Sequence, residues 1–334
     1  MLDKNESAAK PHDRLASYLA ADMDAVSALI AERMASEHAP RIPEVTAHLV
    51  GAGGKRLRPM LTLAAARMCG YPGPYHVHLA ATVEFIHTAT LLHDDVVDES
   101  KQRRGRPTAN LLWDNQSSVL VGDYLFARSF QLMTEPGSMR VMKILSNAAA
   151  TIAEGEVLQL TAAQNLATDE AIYLQVVRGK TAALFSAATE VGGVIAGAPE
   201  AHVQALFDYG DALGIAFQIV DDLLDYRGEE KATGKNIGDD FRERKLTLPV
   251  IKAVVLADAE ERAFWSRCIE KGQQNEGDLD QALALLARHG TLEATETDAR
   301  DWASRAKSAL APLPNHDLKT MLIDLADYVV SRIS

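Results

Sequence analysis

Residues 88–100 read TATLLHDDVVDES, an apolar run closing on three carboxylates, Asp94, Asp95 and Asp98. At about 100° per residue, a helix through this run puts Asp94 and Asp98 one turn apart on one face, with Asp95 flanking them. Working outward, residues 75–99 are apolar nearly all round, which predicts one long, central, buried helix. The GRP at 105–107 must break that helix soon after, so the carboxylates fall at its C-terminal end. That end already carries partial negative charge, and the carboxylates repel one another. A divalent cation removes both penalties, and an all-oxygen site with room for water suits Mg2+. His87, seven residues before Asp94, lies on nearly the same face. A lone histidine on an apolar helix is usually a satisfied core residue, but its alignment with the carboxylates equally admits a functional role. The device returns in FQIVDDLLDY at 217–226, where Asp221 and Asp225 share a face, Asp222 flanks them and Gln218 precedes Asp221 by three residues. One such cluster could be an accident; two need an explanation.

The chain of 334 residues is 47% hydrophobic but only 6% aromatic, which suits a large core of helices packed on small side chains. No run approaches the ~18 uncharged apolar residues of a membrane span. The opening MLDKNESAAKPH lacks the apolar centre of a signal peptide and reads as a polar tail over 1–12, leaving 13–334 as the folded domain. Cys69 and Cys268 are isolated, with no CxxC spacing, so a reduced cytoplasmic setting fits. A net charge of −12 argues against nucleic-acid binding. An anionic substrate would therefore need metal ions or a local cluster of Lys and Arg.

Such clusters exist. Lys55, Arg56 and Arg58 place three cations in four residues of GAGGKRLRP, 51–59. The segment looks like a phosphate-binding Gly-rich loop but fails the G-x-x-x-x-G-K-[ST] pattern twice, with Leu49 at the first glycine position and Arg56 after the lysine. Pro59 reads as the first residue of a helix that Gly70 ends. Taken alone, a solvated turn and a phosphate site describe this segment equally well. Lys101, Arg103, Arg104 and Arg106 follow the first acidic cluster at once. Guanidinium forks match diphosphate oxygens; the bland alternative is a loop that neutralises the helix end. Lys180 and Thr181 open a run of small residues, and Lys235, Asp239, Asp240 and Lys245 occupy the polar stretch after the second cluster.

The rest is helical by periodicity. Residues 15–34 follow 3–4 spacing, 117–133 form an apolar helix suited to a core or a dimer interface, and 139–166, 169–192 and 200–227 continue the pattern. From 247 onward only amphipathic helices occur, at 248–256, 259–269, 279–288, 294–310 and 317–333. No alternating strand pattern persists, so the fold class is all-α, one domain, a helical bundle. Two carboxylate triplets able to hold two or three Mg2+ ions, cations from four places, and small apolar walls describe a site for a diphosphate head with a greasy tail. Metal-assisted loss of diphosphate would leave an allylic cation, to which the alkene of a second substrate could add.

From about residue 15 onward the chain resembles the trans-isoprenyl diphosphate synthases, or polyprenyl synthetases. The likeness is carried by GGKRLRP, IHTATLLHDDVVDES, RRGRPTAN, VGDYLFARSFQLM, GKTAALF, FQIVDDLLDY and GKNIGDDFRERKLTLPV. Two DDxxD motifs in this order, with the basic segments between, are highly specific. The resemblance implies a single-domain isoprenoid synthase bundle around a central elongation cavity. It implies that Asp94 and Asp98, with Asp95 in support, bind Mg2+ bridging to the allylic diphosphate, as does Asp221 with Asp222 and Asp225 in support. Arg103, Lys180, Thr181, Gln218 and Lys235 would hold that diphosphate, and Lys245 matches a further family lysine near the phosphates. Lys55, Arg58, His87 and Arg104 would bind isopentenyl diphosphate. Of all these, Asp94, Asp98, Lys180, Asp221 and Lys235 would carry the catalytic step. Arg244 departs from the pattern, since close relatives usually have glycine before the lysine. Released diphosphate is the family's base for the final proton loss, so no protein base is sought.

In that family the fifth and fourth residues before the first aspartate help set product length, and bulky residues there give short chains. Here they are Ala89 and Thr90, both small, with Ala89 about one turn above Phe85. The flanking text looks most like octaprenyl to decaprenyl synthases supplying a quinone side chain. The resemblance further implies farnesyl diphosphate as primer, a homodimer, and a peripheral membrane contact for product release. Three rivals are weaker. A geranylgeranyl or farnesyl synthase would place bulk at Ala89 or Thr90. A terpene cyclase carries an Asn/Ser/Glu metal motif instead of a second DDxxD, and a non-catalytic subunit of a heteromeric synthase has degraded aspartate motifs. This chain keeps both motifs and the whole isopentenyl set.

Overall fold

The computed structural model describes residues 10–36, 38–51, 53–227 and 237–333. Of the site residues expected from the sequence, Lys235 lies outside the described residues. The all-α expectation holds: among the described residues the one extended structure is a ladder of Gln102–Arg103 with Arg106–Pro107. Side-chain caps start several helices. Asp114 accepts from the Ser117 N–H, Asp169 from the Ile172 N–H, and Asp258 and Glu261 form a reciprocal capping box.

The described residues sort into two compact units. One draws on 1–149, 184–207 and 310–324, the other on 150–183, 208–309 and 325–334. No single cut in the sequence separates them.

The first unit is organised on the helix Tyr75–Val97, with Leu57–Met68, Ala20–Met34 and Asn115–Thr134 packed along it. That helix buries Leu79, Val83, Phe85, Ile86, Ala89 and Leu92. Enclosing a large apolar side chain contributes about 1.5–3 kcal/mol, so packing rather than propensity fixes this element. Small residues set the spacing. A Cβ on Gly192 would come within 2.6 Å of the Ala65 Cβ and 2.7 Å of the Thr62 carbonyl oxygen. The second unit packs around the fully buried Trp265, with Tyr226, Phe241, Val250, Phe264, Ile269 and Leu286 in its cluster.

Local structure departs from the periodicity at several places. The helix expected over 15–34 is two pieces, Pro11–Tyr18 and Ala20–Met34, parted at Leu19 with φ −99° and ψ 13°. Helix thus begins at Pro11, inside the stretch read as tail. The helix after the Gly-rich segment starts at Leu57 rather than Pro59. Proline is tolerated there because the first four N–H groups of a helix have no intrahelical partner anyway. The helices expected over 169–192 and 259–269 contain π-helical turns at Arg178–Ala182 and Ser266–Glu270, which re-aim the side chains they carry. The basic segment after the first acidic cluster is a hairpin, its two-residue connection formed by Arg104 (φ 53°) and Gly105 (φ 73°). Two consecutive left-handed residues make the tight turn that suits strand twist, with arginine where asparagine is usual.

Candidate active site

The first acidic cluster closes the Tyr75–Val97 helix. Asp98 is its C-terminal cap, donating its N–H to the Asp94 carbonyl at 2.8 Å. Asp94 is half-buried and Asp98 exposed, whereas Asp95 is fully buried. Asp95 Oδ1 accepts from Arg103 Nε at 2.9 Å and from Nη2 at 2.7 Å, so the hairpin returns Arg103 onto the helix end. The second oxygen, Asp95 Oδ2, is buried without a hydrogen-bond partner. Thr108 fastens the hairpin base, its Oγ1 donating to the Ser100 carbonyl at 2.7 Å.

Beside this cluster lies a small pocket lined by Gly53, Arg56, Glu84, His87, Thr88 and Arg104, among others. Arg58 Nη1 stands 3.2 Å from His87 Nε2, with the guanidinium 4.5 Å from the Phe185 ring centre. Burial lowers the Arg58 guanidinium to about 10. Burial, and then Arg58, Arg104 and Arg103, hold His87 well below its usual 6.5. His87 is therefore neutral at pH 7, and its Nε2 lone pair accepts from Arg58. Glu84 is raised by burial despite the pull of Arg56, Arg58 and Arg104. One carboxylate among three arginines leaves a positive pocket that an anion would complete. Arg104 folds against the Gly54 backbone, where a Cβ would collide with its guanidinium. Gly54, at φ 143°, is needed for that close approach. Lys55 is exposed alongside.

The second acidic cluster lines a cavity of about 180 Å³, with Lys180, Thr181, Gln218, Asp221, Asp222, Asp240 and Lys245 in its wall. Asp222 is buried and accepts from Tyr173 Oη at 2.6 Å and from Gln218 Nε2 at 2.8 Å. Gln218 Oε1 in turn accepts from Thr181 Oγ1 at 2.7 Å. Burial pushes the Asp222 carboxyl up to about 7, reinforced by Asp221 and opposed by its two donors and by Lys245. Asp225 Oδ2 accepts the Asp240 N–H at 3.1 Å, which docks the following loop. Asp221 is partly open, with Arg332 Nη2 3.9 Å from its Oδ1. Lys180 sits on the π-helical turn Arg178–Ala182, its Nζ 2.8 Å from Glu156 Oε2. The turn lies flat against its neighbour, since a Cβ on Gly179 would sit 2.7 Å from the Gly155 Cα.

Among the described residues no group of three or more His, Cys, Asp or Glu side chains forms a self-contained metal cage. The residues nonetheless fit Mg2+, which takes one or two carboxylates plus water and substrate phosphate. Asp94 and Asp98 offer oxygen donors one turn apart, beside a guanidinium that Asp95 has already fixed. For chain length, Phe85 and Ala89 are buried on one face of the same helix, and Thr90 Oγ1 donates to the His87 carbonyl at 2.8 Å. Sequence reasoning missed the parts played by Tyr173, Glu156, Glu84 and Arg56. Only Arg56 left a signal, as the unassigned member of a three-cation run.

A helical chain with two aspartate-rich helix segments, each beside cations, is the arrangement that metal-assisted diphosphate chemistry needs. The polyprenyl synthetase family profile matches residues 39–286. A decaprenyl diphosphate synthase from Rhodobacter capsulatus is 78% identical, covering 97% of this chain and 99% of that one with a TM-score of 0.94. A polyprenyl synthase from Caulobacter crescentus CB15, complexed with calcium and isoprenyl diphosphate, is 50% identical over 97% of this chain and 98% of that one, at TM-score 0.92. The octaprenyl diphosphate synthase of Escherichia coli K12 is 43% identical over 96% of this chain and 98% of its own length. The chain belongs to the polyprenyl synthetase family.

Proposed function

We propose that this protein is a long-chain all-trans-polyprenyl diphosphate synthase. It condenses isopentenyl diphosphate repeatedly onto an allylic diphosphate, farnesyl diphosphate by preference, to octaprenyl–decaprenyl length for a quinone side chain. The observation that supports this reading is two separate pockets, each with cations in or against its wall. One is lined by Arg56, His87 and Arg104, with Arg58 against His87; the other joins Lys180, Thr181, Gln218 and Lys245 to Asp221, Asp222 and Asp240. A cyclase, with one diphosphate to hold, has no use for the first.

Asp94 and Asp98 on one motif, and Asp221 with Asp222 and Asp225 on the other, would hold two or three Mg2+ ions. Bound Mg2+ supplies charge neutralisation to the departing diphosphate. Arg103, aimed by Asp95, and Lys180, Thr181, Gln218 and Lys245 orient the allylic diphosphate; Lys235 is assigned with them. Lys55, Arg58, His87 and Arg104 hold isopentenyl diphosphate, whose alkene adds to the allylic carbon. The catalytic domain is taken as 13–334, in a cytoplasmic homodimer. Exposed Leu111, Leu112, Val119, Leu120 and Phe130 support self-association. No described helix is long and apolar enough to cross a membrane; release of the product is assigned to a peripheral membrane contact because the product's tail is apolar.

Steady-state kinetics on variants test the two-pocket assignment. Arg104→Ala raises KM for isopentenyl diphosphate by about tenfold or more, the loss of one charged contact, and leaves KM for farnesyl diphosphate nearly unchanged. Lys180→Ala does the converse. Equal shifts for both substrates in either variant would contradict the assignment.

A further inference from the structure

Lys245 reaches the second cavity from a turn whose geometry depends on its neighbour. The short helix Asp239–Arg242 ends with the Lys245 N–H on the Asp240 carbonyl at 2.8 Å and the Arg244 N–H on the Phe241 carbonyl at 3.0 Å. This paired closure demands a left-handed residue just before Lys245, a place glycine usually takes. Here it is Arg244, at φ 62°. Its side chain is committed elsewhere: Nε donates to the Ile269 carbonyl at 2.7 Å and Nη2 to the Glu270 carbonyl at 2.6 Å. Those carbonyls belong to the π-helical turn Ser266–Glu270, where terminal carbonyls lack helical partners and favour a cation. Gly272 leaves room for the guanidinium; a Cβ there would lie 2.9 Å from Arg244 Nη1. Glu270 also accepts the Leu166 N–H on its Oε1 at 3.4 Å, and the neighbouring Ala163 and Thr168 line the same cavity as Lys245.

We infer that Arg244 is a positioning residue: it clamps the turn that presents Lys245 and ties it, through the Ser266–Glu270 turn, to the part of the cavity wall that holds Ala163 and Thr168. This rests on the reading of Lys245 as a ligand for the allylic diphosphate. The clamp acts on one substrate, which a general loss of stability does not.

A double-mutant cycle on the full chain tests it, with Mg2+, farnesyl diphosphate and isopentenyl diphosphate as probes. Arg244→Ala raises KM for farnesyl diphosphate about fivefold and leaves kcat and KM for isopentenyl diphosphate within about twofold. In the Lys245→Ala background the same change adds nothing, because the group it positions is gone. Arg244→Lys, which keeps a donor for the two carbonyls, recovers part of the loss. If Arg244→Ala does not fold, Arg244→Gly, which accepts the left-handed backbone, is carried through the same cycle with the same expected shift. A KM rise that persists undiminished in the Lys245→Ala background overturns the clamp. So does an unchanged KM in the Arg244 variants where Lys245→Ala raises it. An unchanged KM in Lys245→Ala itself overturns the reading of Lys245, and the clamp with it.

Discussion

Asp95 and Asp222 hold the same place in their motifs, and both turn inward. Consecutive helical residues diverge by about 100°, so when the first aspartate points outward the second points into the protein. Each inward carboxylate organises side chains proposed to bind phosphate: Asp95 fixes Arg103, and Asp222 fixes Gln218 and through it Thr181. His87 shows the cost of building such a site in advance. Its folded-state pKa lies well below 6.5, so the unfolded chain takes up a proton that the folded chain refuses. Its contribution is complete above pH 6.5 and is lost as pH falls below that value. The loss cannot exceed about 1.4 kcal/mol per pH unit for a single group. Ligand-free protein melted at falling pH below 6.5 therefore loses more stability than His87→Gln. Equal acid losses in the two proteins would show that His87 carries no such penalty. The residue types of both clusters were legible in the sequence because helical spacing alone groups them. Tyr173 and Glu156 were not, since each meets its partner only through tertiary folding.

At the scale of the element, the Tyr75–Val97 helix carries both Asp94 at its C-terminal end, proposed to hold metal, and Ala89, proposed to help set product length. Ala89 is buried one turn from Phe85, and under the proposed function a larger side chain there would block a growing chain. Ala89→Phe shortens the product toward farnesyl–geranylgeranyl length, read by sizing the dephosphorylated chains. Overpacking costs about 1–3 kcal/mol in addition, so folding is checked alongside. An unchanged product distribution in a folded, active variant would remove Ala89 from chain-length control. Helix positions were largely legible, as the agreement over Leu248–Leu256 and Glu200–Arg227 illustrates. Interruptions were not. The turns at Arg178–Ala182 and Ser266–Glu270 keep helical composition, and the hairpin at Arg104 and Gly105 is too short to show alternation.

For the whole molecule, one helix face poses the question of assembly. Asn115–Thr134 buries Val121, Leu125 and Leu132 while exposing Val119, Leu120 and Phe130, so one side of it is core and the other is the side on which the proposed dimer would form. Leu120 is 66% exposed, and Leu120→Glu leaves the fold intact while reducing the sedimenting species from dimer to monomer. A wild-type monomer at micromolar concentration would remove the basis for that expectation. The central claim is repeated, metal-dependent elongation. Purified protein is incubated with Mg2+, labelled isopentenyl diphosphate and farnesyl diphosphate, and the dephosphorylated products are sized. A long-chain synthase elongates only when Mg2+ is present and stops between octaprenyl and decaprenyl length. No elongation with Mg2+ present would contradict the prenyltransferase reading, and products ending at farnesyl–geranylgeranyl length would contradict its long-chain part.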